Sequence, residues 1–207
     1  MSTVPIAKRH ALGLPAGSIR ATHILGIVAL ICGILLVPTS RDAHVPPYLI
    51  YLLFLGLGHF FAAHGNDIAP RNSNGNSPLY LPAGTIRFLV IALLGGTIGW
   101  RAYVDPAALS RSFQESVDEM KGQPEVLLAI LGAFILGVIV RAIAGRDAPP
   151  QYWQDFEAWL SLVSLMGLFI AAIVHLVIGV SVTEKLTLPV GEGFLGAGIA
   201  FYFGARS

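Results

Sequence analysis

Long stretches of this chain carry almost no charge. ATHILGIVALICGILLV at 21–37 is the first, and comparable apolar stretches follow at 48–64, 85–104, 126–144 and 158–182. An α-helix rises about 1.5 Å per residue, so about 20 apolar residues cross the roughly 30 Å of bilayer hydrocarbon. No water reaches backbone N–H and C=O groups there, and a crossing segment must satisfy them internally. The expected fold is therefore all-α, a polytopic transmembrane helix bundle with five crossings. A sixth segment, LPVGEGFLGAGIAFYFGA at 188–205, is shorter and is interrupted by Glu192. It is expected either to cross or to re-enter under cover of protein.

The remaining composition agrees with that class. Asp, Glu, Lys and Arg make up 12% of the 207 residues, about half the share of a typical soluble domain. A formal charge of +1 leaves no basic face to neutralise a run of phosphates, so no nucleic-acid partner is expected. Cys32 is the single cysteine, which excludes an internal disulfide and a cysteine-rich metal site. The stretch at 21–37 follows twenty more polar residues and precedes PTSRDAHV, with no small-x-small cleavage signal. It reads as a retained span rather than a secretory leader.

Residues 1–20 are expected to form an N-terminal interfacial segment, and 21–205 a single transmembrane domain. Within it, 65–80 is a polar loop rich in Asn and Gly, and 105–123 a surface helix. Asp105 before Pro106 starts that helix, and Gly122-Gln123-Pro124 stops it. RDAPPQYWQDFEAW at 146–159 mixes aromatic and charged residues as an interfacial belt does. With six crossings and a cytoplasmic N-terminus, inner segments hold eight Lys or Arg and outer ones five, which favours that orientation. Compact loops without glycosylation sequons point to a bacterial inner membrane.

One phrase is written twice: LPAGSIR at 14–20 and LPAGTIR at 81–87. Each stands ahead of an apolar stretch. Proline presets a first helical turn, and the hydroxyls of Ser18 and Thr85 are expected to cap exposed N–H groups. Arg20 and Arg87 then reach the lipid headgroups while their stems stay apolar. A helix start beside an arginine can also hold an anionic ligand, but capping and anchoring already account for every residue of the phrase. The duplication raises the expectation of a two-span parallel repeat.

Polar residues inside spans are where function is sought. His59 is the deepest histidine on the inner side. His64 lies five residues on, about 140° around the helix, so the two do not converge. With no carboxylate among them, a haem or metal at His23, His59 or His64 is not expected, and no cofactor is assigned. Glu192, between Gly191 and Gly193, is the other candidate, marking a proton or cation path.

Small residues recur at helical spacing: Gly95 and Gly99, Gly167 and Ala171, then Gly196, Ala200 and Gly204. Such faces let helices approach closely in lipid. No phosphate loop, nucleophile elbow or dinucleotide fingerprint is present. The expected function is therefore noncatalytic: an accessory or assembly subunit in contact with lipid, with a membrane partner or further copies of itself. The competing expectation is a small-solute or ion transporter with Glu192 near the pathway.

Overall fold

The computed structural model describes residues 11–15, 17–36, 45–62, 78–82, 84–143, 150–178 and 188–206, the side chains of 60–62, 175–178 and 188–190 excepted. His64 and most of the polar loop at 65–80 lie outside them. All regular structure among the described residues is helical. The helices are α1 (Ser18–Leu36), α2 (Pro47–Ala62), α3 (Thr85–Val104), α4 (Pro106–Gly122), α5 (Pro124–Ile143), α6 (Gln151–Ile178) and α7 (Leu188–Ala205). Short 3-10 turns at Ala11–Gly13 and Pro78–Tyr80 precede α1 and α3.

Among the described residues four helices are long and apolar enough to cross a membrane: α1, α3, α5 and α6 over Gln151–Val174. At 16 residues, α2 spans only about 24 Å. α6 begins at Gln151, seven residues before the expected 158, and takes up most of the aromatic belt as its first turns. The Pro150 carbonyl accepts from the amides of Trp153 and Gln154 at 3.0 and 3.2 Å. Pro150 therefore starts a helix there, since a helix tolerates proline at its beginning.

α1, α3 and α6 run one way, and α2, α5 and α7 the other. The side on which α1 begins thus gathers the starts of α3 and α6 and the ends of α2, α5 and α7. Helices α1, α2, α7 and α6 close a ring, whose core includes Ile27, Leu49, Leu52, Leu168, Ile199 and Phe203. α3 stands outside α1, and α5 outside α7. The expected two-span repeat does not reappear as packing: α1 and α2 pack together, whereas α3 and α5 share at most marginal contact.

Outside the ring the usual burial rule is inverted. Phe88, Ile91 and Trp100 on α3, Leu128 and Ile135 on α5, and Val163 and Met166 on α6 are all exposed. Contiguous apolar surface on this scale is rare on soluble monomers and fits contact with hydrocarbon. Among the described helices α4 has the mixed character of a surface helix. Asp105 caps it by accepting from the Ala108 amide at 2.9 Å, and Pro106 occupies its first turn. Its buried residues Ala108, Ser112 and Ser116 recur every four positions, and the Ser116 hydroxyl donates to the Val45 carbonyl at 2.8 Å. α4 thereby lies across the far-side start of α2.

Candidate functional site

The duplicated phrase folds the same way twice, as part of a ten-residue unit. Leu12 and Leu79 hold φ near 56° and 54°, and Gly17 and Gly84 near 82° and 89°. Leu14 and Leu81 each donate back to the first residue of the turn, at 3.2 and 3.1 Å. Ser18 and Thr85 each donate to the proline carbonyl three residues back, both at 3.1 Å. The left-handed glycine is a reason for the repeated spacing, because positive φ is nearly free only without a Cβ. It also corrects the expected geometry. Proline is not the first helical residue, and the glycine separates it from the helix. Gly84 holds the cap position of α3 and Thr85 follows it, so Thr85 does not cap its own helix.

Ser18 does accept an amide, but from the other copy. The Leu79 N–H donates to Ser18 Oγ at 2.9 Å, sixty-one residues away. The equivalent Leu12 N–H donates to Asp155 Oδ1 of α6 at 2.7 Å. Each positive-φ turn therefore hangs its amide on a side chain of the preceding parallel helix, in the order α6, α1, α3. The helix faces keep that register. Ala21, Ile24, Val28 and Cys32 of α1 are buried against Ile86 and Val90 of α3, and the Cys32 thiol donates to the Leu93 carbonyl at 3.6 Å. Adding the 67-residue offset to that α1 face gives Phe88, Ile91, Gly95 and Gly99. All four are exposed, and a Cβ at either glycine would meet nothing within 4 Å. Gly95 and Gly99, expected as packing residues, therefore pack against no other helix of the described chain.

The remaining small residues lie inside. A Cβ at Gly167 would fall 2.9 Å from the Leu195 side chain, and one at Gly196 would lie 3.4 Å from Ile130. Ala171 and Ala200 are buried. Gly204 faces the backbone of Phe134 and Val138 on α5, and Gly137 faces that of Phe201 and Ala205 on α7. Gly137, the partner of Gly204, ends a small-residue series of its own, Ala129, Ala133 and Gly137, which the sequence reading passed over.

The side where α1 starts carries a dense polar group. Arg206, just past α7, sets its Nε 3.3 Å from Glu157 Oε2, a carboxylate with 3% of its side chain exposed. The same guanidinium donates to Oε1 and the backbone O of Gln154, both at 3.3 Å, and stands 5.9 Å above the Tyr202 ring. Arg20 Nη2 donates to the Arg206 carbonyl at 2.7 Å. His23 is fully buried, with Nδ1 2.7 Å from the Ile19 carbonyl and its ring stacked on Tyr202 at 5.5 Å. His59 meets Phe203 edge-on at 5.5 Å. Phe203 lies between the two histidines, which gives them a shared apolar neighbour rather than a shared ligand. No group of three His, Cys, Asp or Glu that could hold a metal occurs among the described residues. Glu157 was missed because it stood in a stretch read as an interfacial belt, and Arg206 because it was counted only as an inner-side charge.

Glu192 lies at the opposite side. It is 5% exposed, is hydrogen-bonded to the Tyr48 hydroxyl, and has Glu119 of α4 in electrostatic reach. The two candidates His59 and Glu192 thus occupy opposite ends of the bundle and form no common site. No known protein family, curated protein or solved structure matches the chain.

Proposed function

We propose that the protein is an integral membrane bundle, crossing six times with its N-terminus in the cytoplasm, that acts without catalysis as an accessory or assembly subunit. The observation carrying this reading is the free face of α3. Phe88, Ile91, Gly95 and Gly99 hold the register positions by which α1 receives α3, yet among the described residues no helix packs on them. A heterologous contact of this sort can be extended at its open end. The occupant we assign is a partner's membrane helix that enters from the same side as α3 and lies parallel to it. Close approach at Gly95 and Gly99 supplies the packing that lipid cannot.

Native mass spectrometry of protein extracted at natural expression level tests this reading. A stoichiometric complex is expected, and the double substitution Gly95→Leu with Gly99→Leu should abolish it while folded yield stays unchanged. A complex indifferent to both substitutions, or a bare monomer, would overturn it.

A transporter is the second reading, favoured by the burial of Glu192 against Tyr48 beneath α4. Intramembrane carboxylates commonly mark ion paths. A flux assay on Glu192→Gln decides: loss of flux at normal expression supports it, and no measurable flux in the unaltered protein ends it.

A further inference from the structure

A pocket of about 110 Å³ opens between the first turn of α1 and the end of α7, lined by Ala11, Pro15, Gly17, Ile19, Arg20, Tyr202 and Arg206. Two of the lining residues are arginines. Their charges are unequally matched: Glu157 and Gln154 hold Arg206, whereas among the described residues Arg20 makes one hydrogen bond, to the Arg206 carbonyl. Among the described residues no carboxylate stands within ion-pair distance of Arg20. Among the described residues most of the five donors of Arg20 are uncommitted, and burial of a cation is costly without a counter-charge.

We propose that this pocket binds a phosphate group, held chiefly by Arg20 with Arg206 as the second cation. The guanidinium fork matches phosphate oxygens in pairs. The start of a 19-residue helix at the same wall adds the positive end of its dipole. The phosphate belongs either to an anionic lipid headgroup or to a soluble phosphate compound. The exposed aromatics Tyr152, Phe156 and Trp159 on the adjacent start of α6 place the pocket at the level where headgroups lie. Sequence alone made Arg20 and Arg87 equivalent anchors. In the structure Arg20 is the one joined to Arg206. This proposal stands independently of any helix seated on α3.

The test measures lipid binding to the full-length protein in micelles by native mass spectrometry, with phosphatidylglycerol, phosphatidylcholine and inorganic phosphate as separate probes. The unaltered protein should retain one phosphatidylglycerol with about tenfold preference over phosphatidylcholine, as expected of a charge-assisted contact. Arg20→Gln should lose that preference and Arg87→Gln should keep it. Should Arg20→Gln fail to fold, Arg20→Lys keeps the charge without the fork and should lower the preference severalfold. Inorganic phosphate bound in an Arg20-dependent way, with the two lipids bound equally, would assign the site to a soluble phosphate. Equal binding of the lipids with no binding of phosphate, or a preference that survives at Arg20→Gln, would overturn the proposal.

Discussion

Replacing Gly204 by alanine should force α5 and α7 apart. The two helices run in the same direction and meet where Gly137 and Gly204 face each other's backbone. A Cβ on Gly204 would collide with the Phe134 carbonyl oxygen, and would sit 2.9 Å from its carbon and 3.1 Å from the Val138 nitrogen. Non-bonded carbon atoms rest about 3.5–4.0 Å apart, so the methyl demands a retreat on the order of 1 Å. The obstructing atoms are main chain within a helix and cannot rotate aside. Overpacking costs about 1–3 kcal/mol in ordinary cores, and backbone-on-backbone contact belongs at the upper end. Alanine returns about 1 kcal/mol through helix propensity, leaving a net loss of about 2 kcal/mol. Gly95→Ala is the matched control. Nothing lies within 4 Å of its Cβ, so it should be stabilising by up to about 1 kcal/mol. Reversible unfolding in mixed micelles, followed by far-UV circular dichroism as the denaturing detergent rises, measures both. Stability changes of the same sign, or differing by less than about 0.5 kcal/mol, would refute the assigned α5–α7 contact.

The same unfolding assay reads three further effects. Ser18→Ala strands the Leu79 amide and should cost about 1–2 kcal/mol, whereas Thr85→Ala should cost under about 0.5 kcal/mol, because Gly84 and not Thr85 occupies the cap of α3. Gly17→Ala and Gly84→Ala should each cost about 1–2 kcal/mol for their positive φ. The loss at Gly17 should be the greater, since its Cβ would also meet Pro78 Cγ at 3.3 Å. Arg206→Gln leaves the Glu157 carboxylate buried and should cost about 2 kcal/mol, below the range for a fully buried pair because Arg206 is partly exposed. Glu157→Gln, which removes the buried charge itself, should cost less.

The apolar stretches made α1, α3 and α5 legible, because in a bilayer length and hydropathy alone nearly determine a helix. The start of α6 was harder to read. Its first turns mix Trp153, Phe156 and Trp159 with Asp155 and Glu157, a composition shared by interfacial loops. Those two acids face Leu12 and Arg206, contacts across 143 and 49 residues (155 − 12 and 206 − 157) that no local pattern records. The repeated phrase was visible as a signal for the start of a helix. Its left-handed glycine and its amide hung on the neighbouring helix were not, since spacing does not reveal φ or which neighbour supplies an acceptor. Small residues at four-residue spacing identified faces suited to close approach. They did not distinguish Gly204, which is pressed against α5, from Gly95, which is pressed against none of the described residues. That distinction depends on the order of helices around the ring.

Site-specific photocrosslinking in native membranes tests the assembly role most directly. A photoreactive side chain is placed at Ile91 on the free face of α3, or at Ile135 on the exposed face of α5, and the adducts are identified by mass. The account predicts one protein adduct of defined mass from position 91 and lipid adducts alone from position 135. Lipid adducts alone from both positions would contradict it, and would leave α3 an ordinary lipid-facing helix.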